Sequence, residues 1–108
     1  MSKEAFSLHL VEKGIHPANL SRVTGTLDQW ETGHWWIGET TAASLVGGNI
    51  YLHSGQGEPS HTGGEVLSYR PSGTQSKRKI FRFRVMNQCV GVSTAKKGWG
   101  NEKKVIWK

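Results

Sequence analysis

A chain of 108 residues with one cysteine is expected to form a single domain over 1–108, with a modest core and no internal disulfide. No apolar run approaches the roughly 18 residues of a membrane span, and "MSKEAFSLHLVEKG" lacks a signal peptide's unbroken apolar stretch, so a cytoplasmic protein with no membrane partner is expected. The net charge of +6 is uneven: residues 1–69 hold three basic and seven acidic side chains, and residues 70–108 hold eleven basic ones and the single acid Glu102. Such asymmetry points to a polyanionic partner, RNA or DNA first, unless the fold interleaves the two halves.

Strand signals dominate along the chain. "FSLHLV" (6–11) alternates Phe6, Leu8 and Leu10 with Ser7, His9 and Val11, a period of two. "HWWIG" follows; if it is extended, Trp35 and Trp36 face opposite ways. "GETTAASLVGG" predicts one helix of two turns at most, capped by Thr40 or Thr41 and stopped by Gly47 or Gly48. "NIYLH" (49–53) puts Ile50 and Leu52 on one face and Tyr51 and His53 on the other. A long polar loop from His53 to His61 precedes the next strand, "GEVLSYR" (64–70), and "RPSGTQSKRK" (70–79) reads as a loose connection. "KIFRFRVM" (79–86) is the clearest strand, with Phe81, Phe83 and Val85 opposite Arg82 and Arg84. "KKVIWK" closes the chain as a last strand. The expected fold is mainly β (α+β), a small barrel or strongly bent sheet of five or six strands with one or two short helices.

Enzyme signatures are weak. His53, Glu58 and His61 have an H-x4-E-x2-H spacing that matches no finger-type or helix-borne zinc arrangement, and Ser60 beside His61 comes without a G-x-S-x-G turn. No catalytic residue, metal or cofactor is therefore assigned. Aromatic and basic residues say more. Five tryptophans are many for so small a core; Trp107 and one of Trp35 and Trp36 are expected inside. Trp99, in "KKGWGNEKK", is either a plug at one end of the fold or a stacking side chain on a basic loop. Stacking on a base is worth ~1–3 kcal/mol, and nearby cations add phosphate attraction. The candidate nucleic-acid contacts are Lys77, Arg78, Lys79, Arg82, Arg84, Lys96, Lys97 and Trp99. Trp35, Trp36, Tyr51, His53, Ser54, Ser60 and His61 are the candidate pocket lining. Cys89 reads as a small buried apolar residue.

The succession "AASLVGG", "NIYLHSG", a loop, then "GGEVLSYR", over residues 40–70, resembles the PUA-like superfamily, especially its EVE and ASCH branches. The resemblance implies a five- or six-stranded pseudo-barrel whose cleft receives RNA or an unusual, often modified, base. It places His53 and Ser54 near that cleft, with Trp35 or Trp36 as the base platform. The EVE branch's N-terminal Tyr-Trp strand and "GVRN"-like segment are absent, as is the ASCH Gly-x-Lys-x-x-Glu-x-Arg pattern, so the implied member is divergent. The expected function is a noncatalytic nucleic-acid-binding module, reading RNA or a modified or flipped base. The alternatives are a small hydrolase of nucleosides or nucleotides using His53, Glu58 and His61, and a protein-interaction module with a basic face.

Overall fold

A computed structural model describes residues 5–11, 20–72, 75–95, 97–100 and 103–107. Its strands are β1 (Ala5–Val11), β2 (Leu20–Arg22), β3 (Gln29–Thr32), β4 (Trp35–Trp36), β5 (Asn49–His53), β6 (Ser60–Ser72), β7 (Gln75–Val85) and β8 (Lys103–Trp107). One helix, α1 (Glu39–Leu45), and a 3-10 turn (Asn87–Cys89) complete the described elements. The strands form one sheet in the order β2-β3-β7-β6-β5-β1-β8, while β4 pairs with β7 alongside β3. β1 and β5 run parallel; the other pairs are antiparallel.

The mainly β expectation holds. The sheet is larger than the expected five or six strands, and it stays open rather than closing into a barrel. The extra strands are β2, β3 and β4, two to four residues each, too short for an alternating pattern. Among the described residues no helix is long and apolar enough to cross a membrane.

Alternation builds the core. Leu8 and Leu10 of β1, Ile50 and Leu52 of β5, Val66 of β6, and Phe81 and Phe83 of β7 cluster with Ile37, Ala42 and Leu45. Burying side chains of this size is worth roughly 1.5–3 kcal/mol each. The α1 helix contributes that small apolar patch and little else. Its N-cap is Gly38, without a side-chain hydrogen bond, so neither Thr40 nor Thr41 caps it. Gly47, at φ +88°, supplies the left-handed stop.

The polar loop is shorter than expected. β6 begins at Ser60, so the turn between β5 and β6 spans only 54–59. Gly63, ahead of the expected strand, and Gly64, its expected first residue, both lie within β6, and each is glycine for a steric reason. A Cβ on Gly63 would lie 2.2 Å from the Ile50 carbonyl oxygen, and one on Gly64 would lie 1.7 Å from that of Arg84. Likewise 70–79 is largely strand: β6 and β7 form a long hairpin covering most of it.

Sheet order also undoes the charge asymmetry. β3 and β6, from the acidic part of the sequence, flank β7. Glu31 faces Arg82 in register and Glu65 faces Arg84. Arg84 bonds Glu65 at 2.8 Å, Arg82 lies 3.5 Å from Glu31, and Arg70 donates two hydrogen bonds to Glu31. The Arg70 hydrogen bond, with the charges of Arg70 and Arg82, holds the Glu31 carboxyl below the usual range, and Arg70 is raised in return. The basic second half is therefore interleaved with the acidic first half rather than gathered on one side.

Candidate functional site

The expected composite of arginines, tryptophans and the 53–61 turn resolves into two separate clusters that share no residue. The first is a surface groove of about 430 Å³ lined by His34, Trp35, Trp36, Arg78 and Lys103. Its geometry follows from β4. In a strand of two residues the indoles leave opposite faces: Trp35, opposite Lys79, packs half-buried on the core, while Trp36, opposite Arg78, is 53% exposed. The Arg78 guanidinium lies over the Trp36 ring, 5.7 Å from its centroid. Lys103, from β8, closes the groove by donating a hydrogen bond from Nζ to the Trp36 carbonyl. Partial burial pushes the Lys103 ammonium below its usual pKa. The volume falls within the roughly 300–1,000 Å³ of small-ligand sites.

The second cluster lies on the sheet face opposite the apolar core. Because β1 sits between β5 and β8, Tyr51, His9 and Lys104 form one cross-strand row. Tyr51 stacks on His9 with ring centroids 4.7 Å apart, and Asn49 Nδ2 donates to the Tyr51 hydroxyl. His53 Nδ1 lies 2.7 Å from the Glu58 carbonyl oxygen, which can only accept, so Nδ1 carries the proton. His53 Nε2 then accepts from His9 Nδ1–H at 2.8 Å. This chain of two bonds leaves the lone pair of His9 on Nε2. Burial first, then the charges of His53 and Lys104, lower the His9 pKa from 6.5 to about 4. Trp99 stands edge-on to both imidazoles, at 6.2 Å from His9 and 5.6 Å from His53.

The remaining candidates fall outside both clusters. Arg82 and Arg84 are engaged with Glu31 and Glu65. Lys79 is buried, donates to the Ile37 carbonyl and lies 3.9 Å from Glu39, so it does not present a surface cation. Ser60 is an anchor: its hydroxyl donates to the Cys89 carbonyl and accepts from Val92 N–H. Ser54 is exposed in the turn, His61 is half-buried on β6, and Lys97 is exposed beyond the second cluster. Lys96 lies outside the described residues, as does the side chain of Lys77. Trp107, expected inside, is 43% exposed because β8 is an edge strand. Cys89 is buried as expected, and burial raises its thiol pKa. Among the described residues no group of three or more His, Cys, Asp or Glu side chains converges on a metal-sized point, so His53, Glu58 and His61 do not make one. Glu58 is exposed and meets His53 only through its backbone.

Sequence reasoning missed His9, His34, Lys103 and Lys104. The available signal for the two lysines was their adjacency on a strand, which sends them to opposite faces. No protein-family model, curated protein or solved structure matches this chain.

Proposed function

We propose that the protein is a noncatalytic nucleic-acid-binding module that takes an unpaired base of RNA or DNA in the groove at β4. The observation that carries this reading is the exposed Trp36 indole, with Trp35 behind it and the cations Arg78 and Lys103 on either side of one groove. An indole offers a stacking surface to any base, and the two cations attract the phosphates next to it. A groove of this size holds one or two nucleotides rather than a duplex. The PUA-like reading of residues 40–70 points to the same ligand class, with Trp35 or Trp36 as the platform. It also places the receiving cleft near His53 and Ser54, neither of which lines the groove, so this proposal rests on Trp36.

Fluorescence anisotropy with labelled single-stranded RNA and DNA over a salt series tests it. Binding that weakens steadily with salt and falls roughly tenfold in Trp36→Ala is expected. Undetectable binding at low ionic strength, or binding indifferent to Trp36→Ala, refutes it. The hydrolase alternative loses its proposed triad, because His53 is held by the Glu58 carbonyl and His9.

A further inference from the structure

We propose that Lys104, the Trp99 indole N–H and His9 form a second site, which binds a phosphate group. This site is independent of the groove, since Lys104 and Lys103 leave β8 on opposite faces.

Three observations carry it. Lys104 is a buried cation, 8% exposed, that donates to Thr94 Oγ1 at 2.9 Å and to the Ala95 carbonyl at 2.7 Å. Both partners are neutral, and among the described residues no carboxylate lies within ion-pair distance of it. An ammonium has three donors, so one remains, and a buried charge without a counter-charge is costly. Trp99 Nε1 is the second unmatched donor: it is buried and, among the described residues, has no hydrogen-bond partner. Native structures rarely leave such a group alone, and an ion or water is the usual completion. Third, His9 is 4% exposed and contributes an acceptor, because its Nδ1 proton is committed to His53.

The segment that brings these groups together is built closely around the lysine. Gly98, at φ +93°, lets the backbone lie against the Lys104 stem; a Cβ there would come within 3.2 Å of Lys104 Cε. Trp99 follows directly and reaches over the two imidazoles.

The donor set selects the ligand. Two donors and one acceptor suit a tetrahedral oxyanion that can also carry a proton. A phosphate group presents oxygens to Lys104 and Trp99, and shares one proton with His9 Nε2, as P–OH or as the imidazolium. A carboxylate has two oxygens and no hydroxyl when ionised, which leaves one of the three groups unmatched. Among the described residues the groups facing His9 are His53 and Tyr51 from β5, Lys104 from β8 and Trp99; burial, His53 and Lys104 all disfavour its protonation, whereas a bound anion would favour it. Phosphate binding therefore takes up a proton and tightens as pH falls from about 8 to about 6.

The test is a titration of the isotopically labelled wild-type chain with inorganic phosphate, and separately with a nucleoside 5′-monophosphate, with chloride at matched ionic strength as the control. The Trp99 indole N–H and the His9 ring resonances report the site. Saturable movement of both at millimolar phosphate is expected, with His9 titrating at higher pH when phosphate is bound. Trp99→Phe keeps the ring and loses the donor, and should weaken binding roughly tenfold or more, as should Lys104→Met. Arg84→Ala, in neither cluster, should leave it unchanged. The tighter of the two ligands identifies the source as free ion or phosphomonoester. Unmoved resonances in the wild-type chain, an equal response to chloride, or a full response in Trp99→Phe overturns the proposal. The wild-type and Trp99→Phe titrations decide it even if Lys104→Met does not fold.

Discussion

Acid should unfold this protein through His9 before it reaches the carboxylates. The native imidazole binds a proton only near pH 4, whereas in the unfolded chain it does so near 6.5. The unfolded state therefore holds the extra proton between those values, and stability is complete above 6.5 and lost as pH falls towards 4. The full difference corresponds to about 3 kcal/mol, and roughly 2 kcal/mol of it should be gone by about pH 5. That is a large share of the roughly 5–15 kcal/mol that holds a domain of this size together. Glu31, the carboxyl that Arg70 and Arg82 hold low, adds a loss of its own as pH falls into the ordinary carboxylate range, and that loss is common to the two proteins compared below. The assay is urea unfolding at about pH 7.5 and about pH 5, on the wild-type chain and on His9→Gln. The glutamine amide can still donate to His53 Nε2 but does not titrate. The wild-type chain should lose about 2 kcal/mol more than the variant on acidification. Equal losses in the two proteins, or none in either, would refute the assignment of a buried, hard-to-protonate His9.

Three further outcomes follow from the geometry. Gly64→Ala places a methyl against the Arg84 carbonyl, so β6 and β7 must separate; a loss of about 1–3 kcal/mol or more is expected in thermal unfolding. Ser60→Ala removes the acceptor for Val92 N–H and the donor to the Cys89 carbonyl, and should cost about 1–3 kcal/mol by urea unfolding. In nucleic-acid binding, Arg78→Ala should reduce the salt slope by about one phosphate contact, while Arg84→Ala should leave it unchanged because Glu65 already neutralises that arginine.

Part of this was legible from residues alone. β7 could be read because Phe81 and Phe83 alternate with Arg82 and Arg84, and α1 because an alanine-rich run lies between Gly38 and Gly47. The portion of β6 from Ser60 to Gly63 could not, since polar residues and paired glycines ordinarily signal a turn; here Gly63 and Gly64 admit neighbouring backbones, a requirement set by strands elsewhere in the chain. The site divides in the same way. Trp36 and Arg78 were each recognisable as candidates, yet their meeting depends on β4 joining β7, a pairing across some forty residues that no local pattern encodes. His9 looked like the polar half of an ordinary strand, because its partner His53 arrives 44 residues later. The charge split misled for the same reason: linear order says nothing of which strand lies beside which.

Lys103 and Lys104 make β8 a two-sided strip. One ammonium serves the tryptophan groove and the next serves the imidazole pair, and the strip is bonded to a neighbour along one margin only. Sliding it by a single residue would turn every side chain to the opposite face and leave a lysine at only one of the two positions, without altering composition or total charge. The two sites therefore depend together on the alignment of five residues.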